Sequence, residues 1–215
     1  MKLKHALAAS ALAISGLAQA ATIDWNQWTS NSTGAIGSTP VTITFTGQDN
    51  GGWYAGYPSY GPGPTWADGT VVANAPTGGI VVLSGGNGNV QTVTFSQAVT
   101  NPIFAIWSLG QGGVNASFDF IGATPVFVAG GGSNEYGGSA IVVNGNSVSG
   151  NEGNGTVEFI GTYTSLSWTN PTYEYWYGFN VGITDVAPAV PEPASIGLLL
   201  AGLTLVGLAR RRRAK

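Results

Sequence analysis

The chain has 215 residues and a formal net charge of −3, but its seven Lys and Arg residues all lie at the two ends, as Lys2, Lys4, Arg210, Arg211, Arg212, Arg213 and Lys215. Residues 21–186 carry nine carboxylates (Asp24, Asp49, Asp68, Asp119, Glu135, Glu152, Glu158, Glu174 and Asp185) and no Lys, Arg or Cys, while the single His is His5. The body of the chain can therefore form no side-chain salt bridge or disulfide, neutralise no nucleic-acid phosphate, assemble no His/Cys metal site and run no Ser-His-Asp, Cys-His or Ser-Lys nucleophile.

At the N-terminus, Lys2, Lys4 and His5 precede an apolar stretch over residues 6–18, which ends in Ala18-Gln19-Ala20. A basic start, a short apolar run and a small-x-small ending make residues 1–20 a signal peptide, cut by signal peptidase after Ala20. The apolar run is too short to serve comfortably as an uncleaved anchor.

Residues 21–186 are rich in Gly, Thr, Ser, Asn, Val and aromatic side chains and contain no long amphipathic helical pattern. Val41, Ile43 and Phe45 alternate with threonines, as do Val93 and Phe95, which predicts half-buried strands. Residues 103–109 are apolar on both faces and predict a central strand. Phe118 and Phe120 oppose Asp119, and Val157 and Phe159 oppose Glu158, so these carboxylates are expected on wet faces. Ile141, Val142 and Val143 run into Asn144-Gly145, which predicts a tight type I′ hairpin returning through Val148. Over residues 173–183, alternation places Tyr173, Tyr175, Tyr177, Phe179, Val181 and Ile183 in the core and Glu174, Trp176 and Asn180 in water. With no internal repeat, these short strands predict an all-β domain, an antiparallel β-sandwich of jelly-roll-like type.

Residues 187–193 read as a linker ending in Pro191, Glu192 and Pro193. An apolar run over residues 194–209 follows; as a helix it would be about 24 Å long, a marginal span for a hydrocarbon core of about 30 Å. Arg210, Arg211, Arg212 and Arg213, within a basic tail of residues 210–215, would stay on the cytoplasmic side as a stop-transfer cluster. The two prolines keep Glu192 in an extended, accessible stretch. The order Pro-Glu-Pro, short apolar helix, arginine cluster resembles the PEP-CTERM sorting signal.

That resemblance implies an exosortase as processing partner, cutting at or near Pro191 to Pro193. It also implies a Gram-negative host that makes exopolysaccharide. The protein would cross the inner membrane, be anchored there transiently by the tail, and then reach the cell surface or extracellular matrix. The body resembles the Gly- and aromatic-rich ectodomains of that family only in general character.

Three kinds of chemistry remain open to the body. A glycosidase would need paired carboxylates, one with a raised pKa, and the acids that can be placed fall on wet faces where values stay ordinary. No cofactor is expected; calcium is the plausible exception, since it takes oxygen ligands on turns and Asp49-Asn50-Gly51, Asn87 with Asn89, and Asn151-Glu152 with Asn154 supply them, although Asp, Asn and Gly in such turns need no metal. Carbohydrate could stack on Trp53, Tyr57, Trp66 and Trp176, the first three of which share a Gly/Pro/Tyr-rich segment with Tyr54 and Tyr60. The alternative is that these rings are buried with their polar edges bonded. A non-enzymatic structural or adhesive protein associated with exopolysaccharide is the favoured expectation, a carbohydrate-binding module the second and a carboxylate-dependent glycosidase the third.

Trypsin needs Lys or Arg, so it should release no fragment whose ends lie within residues 22–185, folded or in urea; mass spectrometry of a digest checks this.

Overall fold

Val41, Ile43 and Phe45 turn inward and Thr42, Thr44 and Thr46 outward along a strand spanning Val41–Thr46, as their alternation predicts. The computed structural model describes residues 20–37, 41–48, 53–54, 63–134 and 137–186, with backbone only at 53–54 and 185–186. Ala18, the Pro-Glu-Pro motif, the apolar run and the arginine cluster lie outside the described residues. Among the described residues no helix is long and apolar enough to cross a membrane.

The strands in chain order are β1 (Asp24–Trp25), β2 (Gln27–Trp28), β3 (Thr33–Ile36), β4 (Val41–Thr46), β5 (Trp53–Tyr54), β6 (Ile80–Leu83), β7 (Val90–Thr100), β8 (Ile103–Leu109) and β9 (Ala116–Ile121). They continue as β10 (Val126–Gly130), β11 (Ser139–Ala140), β12 (Val142–Asn144), β13 (Ser147–Gly150), β14 (Gly153–Glu158), β15 (Thr162–Thr169), β16 (Tyr177–Ile183) and β17 (Asp185–Val186). One sheet runs β10-β14-β8-β16-β6-β5, with β1 on β16 and β11 on β14; the other runs β12-β13-β9-β15-β7-β4-β3-β2, with β17 on β7. From β6 to β10, and again from β13 to β17, each strand lies in the opposite sheet from the last. All pairings are antiparallel except β11 with β14 and an isolated bridge between Ala21 and Val72.

The sheets pack face to face through aromatic side chains. Phe104, on β8, meets Trp168 at 5.4 Å between ring centroids, Phe159 at 5.5 Å and Phe120 at 5.6 Å edge to face, and stacks on Phe179 at 5.7 Å. Such pairs contribute roughly 0.5–1.5 kcal/mol each beyond the area they bury. This is the cohesion left to a domain without ion pairs.

A second apolar cluster covers the outer face of the β8 sheet. Ile23, Trp25, Trp66 and Val72 lie over Ile80, Val82, Ile103, Ala105 and Trp107. Strand β8 is buried along its whole length, as its two apolar faces predict, and so are β6 and β16. Gly182 allows the close approach of the N-terminal segment: a Cβ there would come within 2.8 Å of the Trp25 ring.

Two local expectations are corrected. Asn144 pairs with Ser147, so the hairpin loop is Gly145-Asn146, and only Gly145 has positive φ, at 60°. A glycine at the first central position alone is the type II′ pattern rather than type I′. The strand expected over residues 173–183 begins at Tyr177, as β16, because Pro171 and the segment after it form a loop. Tyr173 and Tyr175 are exposed, whereas Glu174 and Asn180 are buried. Asn180 faces the second cluster, where its amide donates to the carbonyls of Asn26 and Thr77.

Truncating a ring that bridges both sheets removes packing and leaves a cavity. Phe104→Ala should lower unfolding free energy by about 4 kcal/mol and Phe127→Ala, at a half-exposed edge position, by under about 1 kcal/mol, both read from urea unfolding.

Candidate functional site

The pairing of β8 with β14 slips near its end: Leu109 faces Gly153 and Ile106 faces Gly155, so Trp107 and Ser108 together oppose Asn154. The extra residue makes a β-bulge, which bends the strand and re-aims a side chain. Ser108 adopts φ 51°, a left-handed conformation that costs roughly 1–2 kcal/mol for a non-glycine residue. Its N–H donates to Asn154 Oδ1 at 2.9 Å and its hydroxyl to Glu152 Oε2 at 2.7 Å, which offset that strain. Glu152 is itself left-handed, at φ 57°, and its N–H donates to the Gly110 carbonyl at 3.1 Å.

Gly110 closes the arrangement. It has φ 81° and lies so close to the Gly150 carbonyl that no side chain fits. Its N–H donates at 2.8 Å to Oε2 of Glu174, which is 2% exposed. The Glu174 N–H donates to the Ser84 carbonyl at 2.8 Å, so the backbone and side chain of this residue are fastened just past the ends of β6 and β8. Burial raises the Glu174 carboxyl to about 7; the N–H groups of Gly110 and Trp176 pull it down in part, and the charge of Glu152 adds to the rise. Tyr177, whose hydroxyl is buried beside Gly85, has its phenol raised by burial and then by the charge of Glu174.

Around this buried carboxylate the chain surfaces. Tyr173 is 63% exposed and Tyr175 75% exposed, on either side of Glu174. Gly86 abuts the Tyr173 backbone and Cβ, where an added Cβ would come within 2.5 Å, and the Gly86 N–H donates to the Asn170 carbonyl at 2.9 Å. Loop 84–89 thus braces loop 170–176.

A second pair of acids lies at the other end of β8. Desolvation pushes Asp68 upward, but the Thr70 hydroxyl and the N–H groups of Val72, Val71 and Thr70 together outweigh it and hold the carboxyl at about 2. Glu158 is raised by burial, eased by the Asn101 side chain and raised again by Asp68. Asp68 is a turn-closing acceptor, a structural use that needs no ligand.

The aromatic residues proposed to stack sugars are scattered by the fold. Trp66 is fully buried and packs on Trp107 with ring centroids 4.7 Å apart, so it offers no face to a ligand. Trp176 is half-buried against the same outer cluster rather than standing in water. Trp53 lies on β5 opposite Val81, its side chain outside the described residues along with all of Tyr57.

The calcium loops separate in the same way. Asn87 accepts the Asn89 N–H at 3.0 Å as a turn former, and Asn154 is buried, with its oxygen on Ser108 and its amide on the carbonyls of Gly137 and Glu152. Asp49 and Asn50 lie outside the described residues. Among the described residues no three His, Cys, Asp or Glu side chains converge on one metal position.

Sequence reasoning missed Glu174 and the two exposed tyrosines because it extended the strand back to residue 173. The break was signalled by Asn170-Pro171, since proline cannot donate to the sheet ladder.

A short tail of prolines, apolar residues and arginines follows the all-β body. The tail, residues 189–213, matches the family model of the PEP-CTERM protein-sorting motif, which implies export, recognition by an exosortase and processing at the membrane. No curated protein and no solved structure matches the chain.

In the folded chain the Glu174 carboxyl holds its proton up to about pH 7, against an ordinary value of 4.5. The folded state therefore binds the extra proton between these values, so this contribution to stability is full below the ordinary value, declines as pH rises and is lost above about 7. The melting temperature should fall by several degrees from roughly pH 5 to pH 8, and Glu174→Gln should flatten that decline; an equal slope in the variant would assign it to another group.

Proposed function

We propose that this is a non-enzymatic cell-surface or extracellular-matrix protein, delivered by an exosortase and acting structurally or adhesively in association with exopolysaccharide. The observation that carries the reading is the sorting motif at residues 189–213, placed behind a β-rich body that has its own aromatic core. Composition supports the non-enzymatic half: the body has no His, Cys, Lys or Arg to act as base, nucleophile or cationic electrophile. The buried Glu174 removes one objection to a glycosidase, since its carboxyl is raised as a general acid requires. At 2% exposure, however, it stands behind the surface that a glycosidic oxygen would have to reach, and its Oε2 is taken by Gly110.

In this reading residues 1–20 leave at Ala20, the tail holds the body at the inner membrane, and the exosortase then releases or transfers it. Mass spectrometry of surface material from a host with an exosortase should give a protein beginning at Ala21 and lacking Arg210 to Arg213. Replacing Pro191, Glu192 and Pro193 together by alanine should leave an uncut protein in the membrane fraction. Surface protein that still carries the arginine cluster would overturn the proposal.

A further inference from the structure

The described aromatic side chains fall into two groups. Most lie in the two cores, among them Trp66, Trp107, Trp168 and Phe104, all at most 1% exposed. Tyr173 and Tyr175 stand apart, each more than half exposed and both within one loop, while Phe127, at 46%, lies exposed on the β10 edge. Burying either ring in the core would have been favourable, so their exposure is maintained by something else in the loop.

That something is the residue between them. Glu174 points inward, its N–H on Ser84 and its carboxylate on Gly110, and this anchor turns both neighbours outward. Gly86 closes against Tyr173 and Gly85 against the carbonyls of Thr172 and Asn170, contacts that any side chain at either glycine would prevent. The two phenols are thus presented by a braced loop, and a ligand that meets them has little loop ordering to impose.

We propose that Tyr173 and Tyr175, held outward by the anchor of Glu174, form a stacking site for the sugar rings of a neutral polysaccharide. This rests on the reading of the protein as an exopolysaccharide-associated surface protein and names the ligand class and the residues that take it. Tyrosine offers an apolar face and a hydroxyl at its rim, which suits a sugar ring with its C–H face and equatorial hydroxyls.

Charge selects the kind of polymer. The body has nine carboxylates and no cationic side chain, and Glu152 is half-buried next to the anchor. A uronic-acid or sulfated polymer would be repelled, and a neutral one would not. The residues beside the two rings are mostly small or polar, a rim that suits a glycan: Gly86, Gly88 and Asn89 are exposed and Asn87 and Thr172 half-buried, with Pro171 and Val90 the exposed apolar neighbours and Trp176 half-buried.

The test uses the full chain, purified in a sugar-free detergent and run through native gels cast with neutral glucans and mannans, or with alginate. Wild type should be retarded by at least one neutral polymer and not by alginate. Tyr173→Ala with Tyr175→Ala should weaken that retardation about tenfold or more while the melting curve stays cooperative, and Phe127→Ala should leave it unchanged. Glu174→Ala should weaken it as the tyrosine changes do, and Glu174→Gln, whose side-chain oxygen can still accept from Gly110, should restore it. Retardation by no neutral polymer, by alginate alone, or equally for the double-tyrosine variant overturns the site. Surface labelling of the same strains separates the two claims: wild type that reaches the surface but ignores neutral glycans removes the stacking site alone, whereas wild type left uncut in the membrane removes the sorting reading.

Discussion

The absence of every cationic side chain from the body shapes the rest of the molecule. In most domains a buried or crowded carboxylate is stabilised by Lys or Arg; here it must rely on N–H groups, hydroxyls or a proton. Asp68 takes the first route, gathering backbone N–H groups and the Thr70 hydroxyl, and its carboxyl is held low. Glu174 takes the last, because burial outweighs its two N–H donors and its carboxyl is held high. The same scarcity places the burden of cohesion on the rings around Phe104, which tie β8 to strands of both sheets.

The strained backbone at Ser108 and Glu152 belongs to that electrostatic solution. A regular β8–β14 ladder would leave the Ser108 hydroxyl pointing elsewhere; the bulge turns it onto Glu152, which lies close enough to Glu174 to raise it. Each left-handed residue costs roughly 1–2 kcal/mol, an amount that one or two hydrogen bonds to a charged oxygen can offset. The bulge, the glycine at position 110 and the inward glutamate therefore act as one unit that fixes where the loop before β16 leaves the sheet.

Much of this architecture was legible in residue pattern alone. Strand β8 was readable from two apolar faces, and the outward Asp119 from its place between Phe118 and Phe120, because burial in a two-sheet fold repeats every second residue. The pattern failed where something other than the sheet sets direction. Over residues 173–177 the alternation of Tyr, Glu, Tyr, Trp and Tyr imitates a strand, yet the inward residue is the charged one. Hydrogen bonds from Gly110 and Trp176 make that inversion tolerable, and nothing in local sequence announces a partner as far along the chain as Gly110. Trp66 was left open between sugar stacking and burial for a related reason: a Gly/Pro-rich segment has no period from which to read that the ring packs on Trp107.

A uniformly negative body also bears on how its edges stay unpaired. Strands β10 and β12 end their sheets on the same side, and they expose Val126, Phe127 and Val142 without the lysines that commonly guard such edges. Two other defences remain. The β10 register is broken between Phe127 and Ala129, which twists the edge away from a regular ladder, and like charge on every copy opposes close approach. The first is built into the backbone and independent of conditions. The second is screened beyond a Debye length of about 8 Å at physiological salt, so in concentrated salt or with divalent cations the β10 bulge is the defence that remains.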